Sequence, residues 1–133
     1  MTRLQLLRRR LAIADGAGAG AGAPIGRLEM THSATARVPT ASASKYLQQT
    51  CKHWEHNLAV VFTPEHGTIV FPKDARGADH PGDATVTFDA HPDTLEVRID
   101  ATSEAQLEGL KGAVARHVDR FAFREAPLVY DWR

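Results

Sequence analysis

Apolar residues recur at helical spacing in two segments of this chain. In residues 42–58 they stand three or four positions apart, and the same spacing returns between residues 104 and 121. Polar residues fill the positions between them, which is the pattern of a helix that packs one side on a core. The sequence therefore predicts two amphipathic helices. Their apolar faces contain Leu47, Cys51, Trp54 and Leu58 in the first helix, and Leu107, Leu110, Val114, Val118 and Phe121 in the second.

Period-two alternation marks the strands between the two helices. Residues 83–90 and 95–99 alternate strictly between apolar and polar positions, so each predicts a strand with one buried and one solvated side. Two short apolar runs, 58–63 and 68–71, flank a Pro-Glu-His-Gly sequence. That sequence predicts a hairpin whose turn uses Gly67 at positive φ.

Two further segments complete the predicted sheet. Residues 32–40 alternate loosely and predict a first strand, and the apolar run 128–132 after Pro127 predicts a closing strand. The predicted order is then β-α-β-β-β-β-α-β. Because both helices have a single apolar side, we expect an α+β fold in which an antiparallel, curved sheet carries two helices on one face.

Residues 1–30 differ in composition from the rest. Four leucines and four arginines fall within the first eleven residues, and a Gly-Ala repeat follows at 16–24. Such repeats offer little apolar surface to bury. We therefore expect a disordered or non-native extension, with Met30 as the natural start, followed by a single domain at 31–133. A basic targeting segment or a secretory signal is an alternative interpretation of the same residues.

Charge and cysteine content narrow the function classes. The extension holds five of the 16 basic and two of the 16 acidic residues, so the remaining chain has 11 basic and 14 acidic residues. A mildly acidic domain argues against nucleic-acid binding, which gains affinity from clustered Lys and Arg. The single Cys51 excludes an internal disulfide and favours a reducing, cytoplasmic setting. No run of residues is apolar and long enough to predict a membrane span.

Two longer signatures carry a family resemblance. The first helix contains K-Y-L-x-x-x-C-K-H-W at 45–54, and the second contains R-H-x-x-R-F-A-F-R-E at 116–125. From Ala34 to Arg133 the chain closely resembles a bacterial family catalogued as domain of unknown function 2218. The resemblance implies no established activity. Similar domains occur joined to siderophore-interacting flavoproteins, which implies a role near iron or siderophore handling and a flavoprotein reductase as partner.

Three histidines form the predicted metal site. His53 and His56 stand three apart in the first helical segment, and His117 lies in the second. If the helices approach each other, three imidazoles can bind zinc, iron or haem. The alternative is that these histidines are hydrogen-bonded or solvated surface residues.

Cys51 lies on the apolar side of its helix, where a free cysteine behaves as a small hydrophobe. We therefore predict no catalytic residue and no cofactor.

Basic and aromatic residues at the two helices form the predicted ligand pocket. Arg116, Arg120 and Arg124 stand four apart, which predicts a basic ridge able to grip a carboxylate or phosphate. Aromatic residues are concentrated towards the C-terminus and predict an apolar lining if the sheet leaves a gap. The candidate pocket residues are Lys45, Tyr46, His53, Trp54, His117, Arg120 and Arg124.

These observations predict a small binding or accessory module, linked through its family to iron and siderophore metabolism. Its expected partners are a small-molecule ligand or a siderophore-reductase-type flavoprotein. Two alternatives stay open at this point: a histidine-based metal or haem protein, and an enzyme with a pocket between helices and sheet. The sequence does not specify the ligand or the oligomeric state.

Overall fold

The computed structural model of the protein describes residues 32–133. The predictions made for residues 1–30 lie outside this range. Within it, no helix combines the length and the apolar character needed to cross a membrane.

The sheet has five antiparallel strands. Along the chain these are β1 (His32–Pro39), β2 (Ala59–Phe62), β3 (His66–Phe71), β4 (Ala84–His91) and β5 (Thr94–Ala101). In space the order is β1-β5-β4-β3-β2, so β1 and β2 are the two edges. The β4–β5 hairpin pairs over its full length, as the strict alternation of its residues predicts.

Two helices cover one face of this sheet. They are α1 (Ala43–Trp54) and α2 (Glu104–Phe121), and Ser103 caps α2 by accepting a hydrogen bond from the Gln106 amide. Leu47 and Cys51 of α1 are fully buried, as are Val114 and Val118 of α2. They share one core with the inward residues of all five strands. The predicted α+β class, with an antiparallel sheet and both helices on one face, is therefore confirmed.

The chain after α2 pairs with the sheet only at its last residue among the described ones. Arg133 and Thr35 of β1 exchange two backbone hydrogen bonds of 2.8 and 2.9 Å, whereas residues 127–132 form no regular strand, and Leu128, Tyr130 and Trp132 pack against the core. The reason lies in Asp119 of α2. Its carboxylate accepts from the Leu128 amide at 3.2 Å and from the Tyr130 hydroxyl at 3.0 Å, which ties the segment to the helix before it reaches β1.

Gly67 plays a different part from the one predicted. It lies inside β3 opposite Phe62, and its φ is not positive. A Cβ at this position would stand 2.8 Å from Cys51 Sγ and 3.2 Å from Phe62 Cβ. The glycine therefore allows α1 to approach the sheet, and the turn before it is made by residues 63–65.

Candidate functional site

An open cleft of about 640 Å³ lies between the two helices and the loop from 72 to 83 that joins β3 to β4. The end of α1, the part of α2 from Ala105 to His117 and a short 3-10 turn at Ala75–Gly77 surround it. It is lined by Trp54, Asn57, Leu58, Phe71, Pro72, Ala75, Arg76, His80, Ala105, Gln106, Gly109, Leu110, Ala113, Arg116 and His117.

The floor of the cleft is apolar and rigid. The Trp54 ring meets the edge of Phe71 at 5.1 Å between centroids, and it stacks parallel to the fully buried Phe88 at 6.5 Å. Leu58 and Leu110 extend the same surface. Trp54 is only 6% exposed, so it borders the cleft with a narrow part of its ring, which these aromatic contacts hold in place.

The polar part of the lining is cationic or neutral. Arg76 of the loop and Arg116 of α2 are both exposed, and neither forms an ion pair with any residue from 32 to 133. His80 and His117 are half-buried beside them. None of the 15 lining residues is Asp or Glu. The charged groups among the described lining residues are therefore cationic, which favours an anionic ligand.

Arg76 is held in a backbone conformation that a non-glycine residue seldom adopts. Its φ is 54° and its ψ is 36°, in the left-handed region. Such conformations cost about 1–3 kcal/mol and persist where the surroundings enforce them. Here the amides of Gly77 and Ala78 donate to Asp74 and Ala75 carbonyls at 3.1 Å, which keeps the turn closed with Arg76 at the cleft.

The other end of the loop is fixed to the start of α2. The Thr102 amide donates to Gln106 Oε1 at 2.8 Å, and Gln106 Nε2 donates to the Gly82 carbonyl at 3.0 Å. The Gly82 amide completes the set by donating to Thr102 Oγ1 at 3.1 Å. Gln106 and Thr102 are both buried, so the bond between them is shielded from water, and the two bonds to Gly82 are partly buried. This network sets the distance between the loop and α2, and with it the width of the cleft.

His117 stands where α1 and α2 meet. Its ring lies 4.8 Å from Trp54 and 5.4 Å from His53, measured between centroids. Its Nδ1 lies 2.6 Å from the Ala113 carbonyl oxygen one turn earlier. Partial burial of His53 lowers its pKa, and the nearby His117 and Arg120 lower it further, which favours the neutral ring.

The predicted three-histidine metal site does not form. His53 and His117 come together, but within residues 32–133 no group of three or more His, Cys, Asp or Glu side chains is placed to hold a metal ion. His56 lies beyond the end of α1 and is exposed. The described part of the chain therefore offers no preformed set of three such ligands to a metal ion.

Of the predicted pocket residues, only Trp54 and His117 line the cleft. Lys45 lies on the outer side of α1, in a shallow groove of about 480 Å³ with Gln48 and Lys52. His53 lies 5.4 Å from His117 between ring centroids and feels the charge of Arg120, but neither His53 nor Arg120 lines the cleft. Arg124 lies past the end of α2, beside the Phe123 ring at 5.7 Å, so the predicted arginine ridge stops at Arg120.

Tyr46 has a structural task instead. It is buried, and its hydroxyl donates to the Glu125 carboxylate, which also accepts from Thr40 Oγ1 at 3.0 and 3.1 Å. The hydrogen bond to Glu125 raises the pKa of the Tyr46 phenol. The three side chains connect the end of β1, the start of α1 and the chain after α2, away from the cleft.

The Cys51 thiol is buried and stays protonated in the folded protein. As a result, we expect the stability of the domain to decrease at alkaline pH. Burial raises the pKa of its thiol to about 12, against about 8.5 in an unfolded chain. The unfolded state therefore loses its proton first, and stability present below pH ~8.5 falls as the pH rises towards the folded value. We expect urea unfolding at pH 10 to show about 2 kcal/mol less stability than at pH 8 from this group. In Cys51→Ala, which retains the tyrosines, that part of the loss should vanish. An equal loss in both proteins would contradict the assignment.

Comparison with known proteins places the chain in a family. Residues 35–133 match the family model of uncharacterised proteins conserved in bacteria, DUF2218. The NMR structure of PA4090 from Pseudomonas aeruginosa is similar, with 32% sequence identity and a TM-score of 0.59, over 76% of this chain and 94% of that one. No curated protein matches the chain. The match covers all of the described residues except 32–34. The chain therefore belongs to the DUF2218 family of bacterial proteins.

Proposed function

We propose that this domain binds a small anionic molecule with an apolar body, and that the cleft between α1, α2 and the 72–83 loop is its site. One observation carries the proposal. The lining combines Arg76 and Arg116, from two different elements, with an aromatic floor and without any carboxylate. Two arginines that have no ion-pair partner among residues 32–133 can hold an acidic group through charge-assisted hydrogen bonds.

The dimensions of the cleft agree with such a ligand. Small-molecule sites enclose roughly 300–1,000 Å³ and are lined mainly by apolar groups with a few placed polar ones. The observed 640 Å³ lies within that range. Trp54, Phe71 and Leu110 supply the apolar contact area, and the guanidinium groups supply orientation.

The family resemblance narrows the proposed ligand further. Similar domains occur with siderophore-interacting flavoproteins, and many ferric chelates carry negative charge together with aromatic or acyl groups. The proposed setting is therefore the cytoplasm, beside a flavoprotein that reduces the bound iron. No step of that reduction is assigned to this chain, whose cleft serves in the proposal to bind and orient the chelate.

A pair of probes with the same body and opposite charge tests the proposal. We expect 2-naphthoate to bind and 2-naphthylmethylammonium to show no saturable binding in calorimetry. In Trp132→Phe, the remaining tryptophan is Trp54, so its indole N–H signal in an NMR titration reports binding at the cleft. The ferric complex of 2,3-dihydroxybenzoate, compared with a neutral ferric trihydroxamate, extends the same charge test to iron chelates.

Charge-matched variants locate the site. Arg116→Gln should weaken 2-naphthoate binding by about tenfold or more, because a hydrogen bond to a charged group contributes about 1.5–3 kcal/mol. Lys45→Gln removes the same charge from the outer side of α1 and should leave the affinity within about twofold. Equal losses in the two variants, or equal binding of the two probes, would count against the cleft as an anion site.

A further inference from the structure

We infer that the ligand carries, in addition to its anionic group, a hydroxyl that donates a hydrogen bond to Nε2 of His117. The inference rests on the proposed function of the cleft and names a second feature of the molecule it takes. It starts from the 2.6 Å contact between His117 Nδ1 and the Ala113 carbonyl oxygen.

The contact fixes which ring nitrogen bears hydrogen. A carbonyl oxygen only accepts, so Nδ1 must be the donor. In the neutral imidazole the other nitrogen, Nε2, is then an acceptor, and no residue from 32 to 133 forms a hydrogen bond with it. The bond runs within one turn of α2, from position 117 to position 113, and is therefore maintained as long as the helix is intact.

His117 is the lining histidine whose hydrogen-bond contact fixes its tautomer. The other lining side chains able to accept are Gln106, Asn57 and His80, and the 3.4 Å contact of His80 Nδ1 with Ser103 Oγ does not fix which nitrogen of that ring accepts, because a hydroxyl can donate or accept. Gln106 Oε1 already receives the amide and the hydroxyl of Thr102, at 2.8 and 2.7 Å. Asn57 is exposed to water at the rim, whereas His117 is half-buried against Trp54. A hydrogen bond to His117 therefore discriminates among ligands more strongly than one to Asn57.

Arg116 is the cation next to His117, and it supplies the contact for the acidic group of the ligand. Arg116 directly precedes His117, and both side chains line the cleft. A ring that meets Trp54 can direct an acid towards the guanidinium and a hydroxyl towards the imidazole. The complementary class is a hydroxylated aromatic acid whose hydroxyl is not already bonded to its own carboxylate.

Ligand pairs that differ only in the donor test this inference. The probes are 2-naphthoate bearing a hydroxyl at position 5, 6 or 7, each compared with its methyl ether at the same pH. The best hydroxyl compound should bind about three- to tenfold tighter than its ether, the usual net value of one hydrogen bond. Equal affinity within every pair would overturn the inference.

Replacing the acceptor should abolish the difference. His117→Phe keeps a ring beside Trp54 and removes both nitrogens, so the hydroxyl compound and the ether of each pair should then bind this variant equally. If the variant does not fold, the pairs on the unmodified protein still decide the question. If 2-naphthoate does not bind the unmodified protein at all, the proposed function itself is wrong. That outcome differs from equal affinity within every pair, which overturns only the inference about His117.

Discussion

Gly67→Val is expected to destabilise the domain by about 3 kcal/mol or more. A Cβ at this position already meets Cys51 Sγ at 2.8 Å and Phe62 Cβ at 3.2 Å, distances that leave no room for two further methyl groups. Leu47 Cδ2, at 3.5 Å, closes the remaining side. Because Cys51 and Leu47 are fully buried, the strain can be relieved only by moving α1 away from the sheet. Urea unfolding monitored by circular dichroism measures the loss.

A neighbouring residue and a suppressor make this test specific. Thr68→Val changes the next residue of β3, whose side chain lies on the opposite face of the sheet, and should alter stability by less than about 0.5 kcal/mol. In the milder Gly67→Ala, the closest clash is with the sulfur. Adding Cys51→Ala should therefore recover part of the loss, giving a double variant more stable than the sum of the single effects predicts. Strict additivity would show that the contact with Cys51 is not the cause.

Gly67 was predicted to adopt a positive φ in a turn, and it instead allows close packing of α1 on β3. This difference shows which features a local sequence pattern cannot predict. The alternation of residues 84–91 and 94–101 and the helical spacing in α1 and α2 are local, so those elements were predictable. A glycine next to a turn sequence is equally compatible with a positive φ and with close packing. Only the position of α1 over β3 decides between them, and that position is a tertiary property.

The same limit applies to the cleft. Trp54 and His117 were predicted because they lie on helices whose orientation the apolar pattern determines. Arg76 and His80 were missed since they belong to a loop with no apolar periodicity, and only the buried network of Gln106 and Thr102 brings that loop to α2. Arg124 was assigned to the wrong surface because the end of α2 at Phe121 was not marked by a proline or glycine until Pro127.

Gly109 offers the sharpest test of the cleft, because stability and binding should change in opposite directions. It lies in the middle of α2 and lines the cleft, and a Cβ there meets no atom within 4 Å. Glycine costs a helix about 0.8–1.0 kcal/mol relative to alanine, and leucine is nearly as favourable as alanine. Gly109→Ala and Gly109→Leu should therefore raise the free energy of unfolding by up to about 1 kcal/mol.

Binding should fall in the same variants because the added side chain occupies the volume that the ligand needs. For Gly109→Leu we expect calorimetry to show a loss of 2-naphthoate affinity of about tenfold or more, equivalent to about 1.4 kcal/mol. Glu108→Leu places the same side chain one residue earlier, outside the lining, and gives up an exposed ion pair with Lys111 that contributes little. It also removes a negative charge, so it should not weaken the binding of an anion. A Gly109→Leu protein that is more stable and still binds 2-naphthoate normally would place the ligand elsewhere on the molecule.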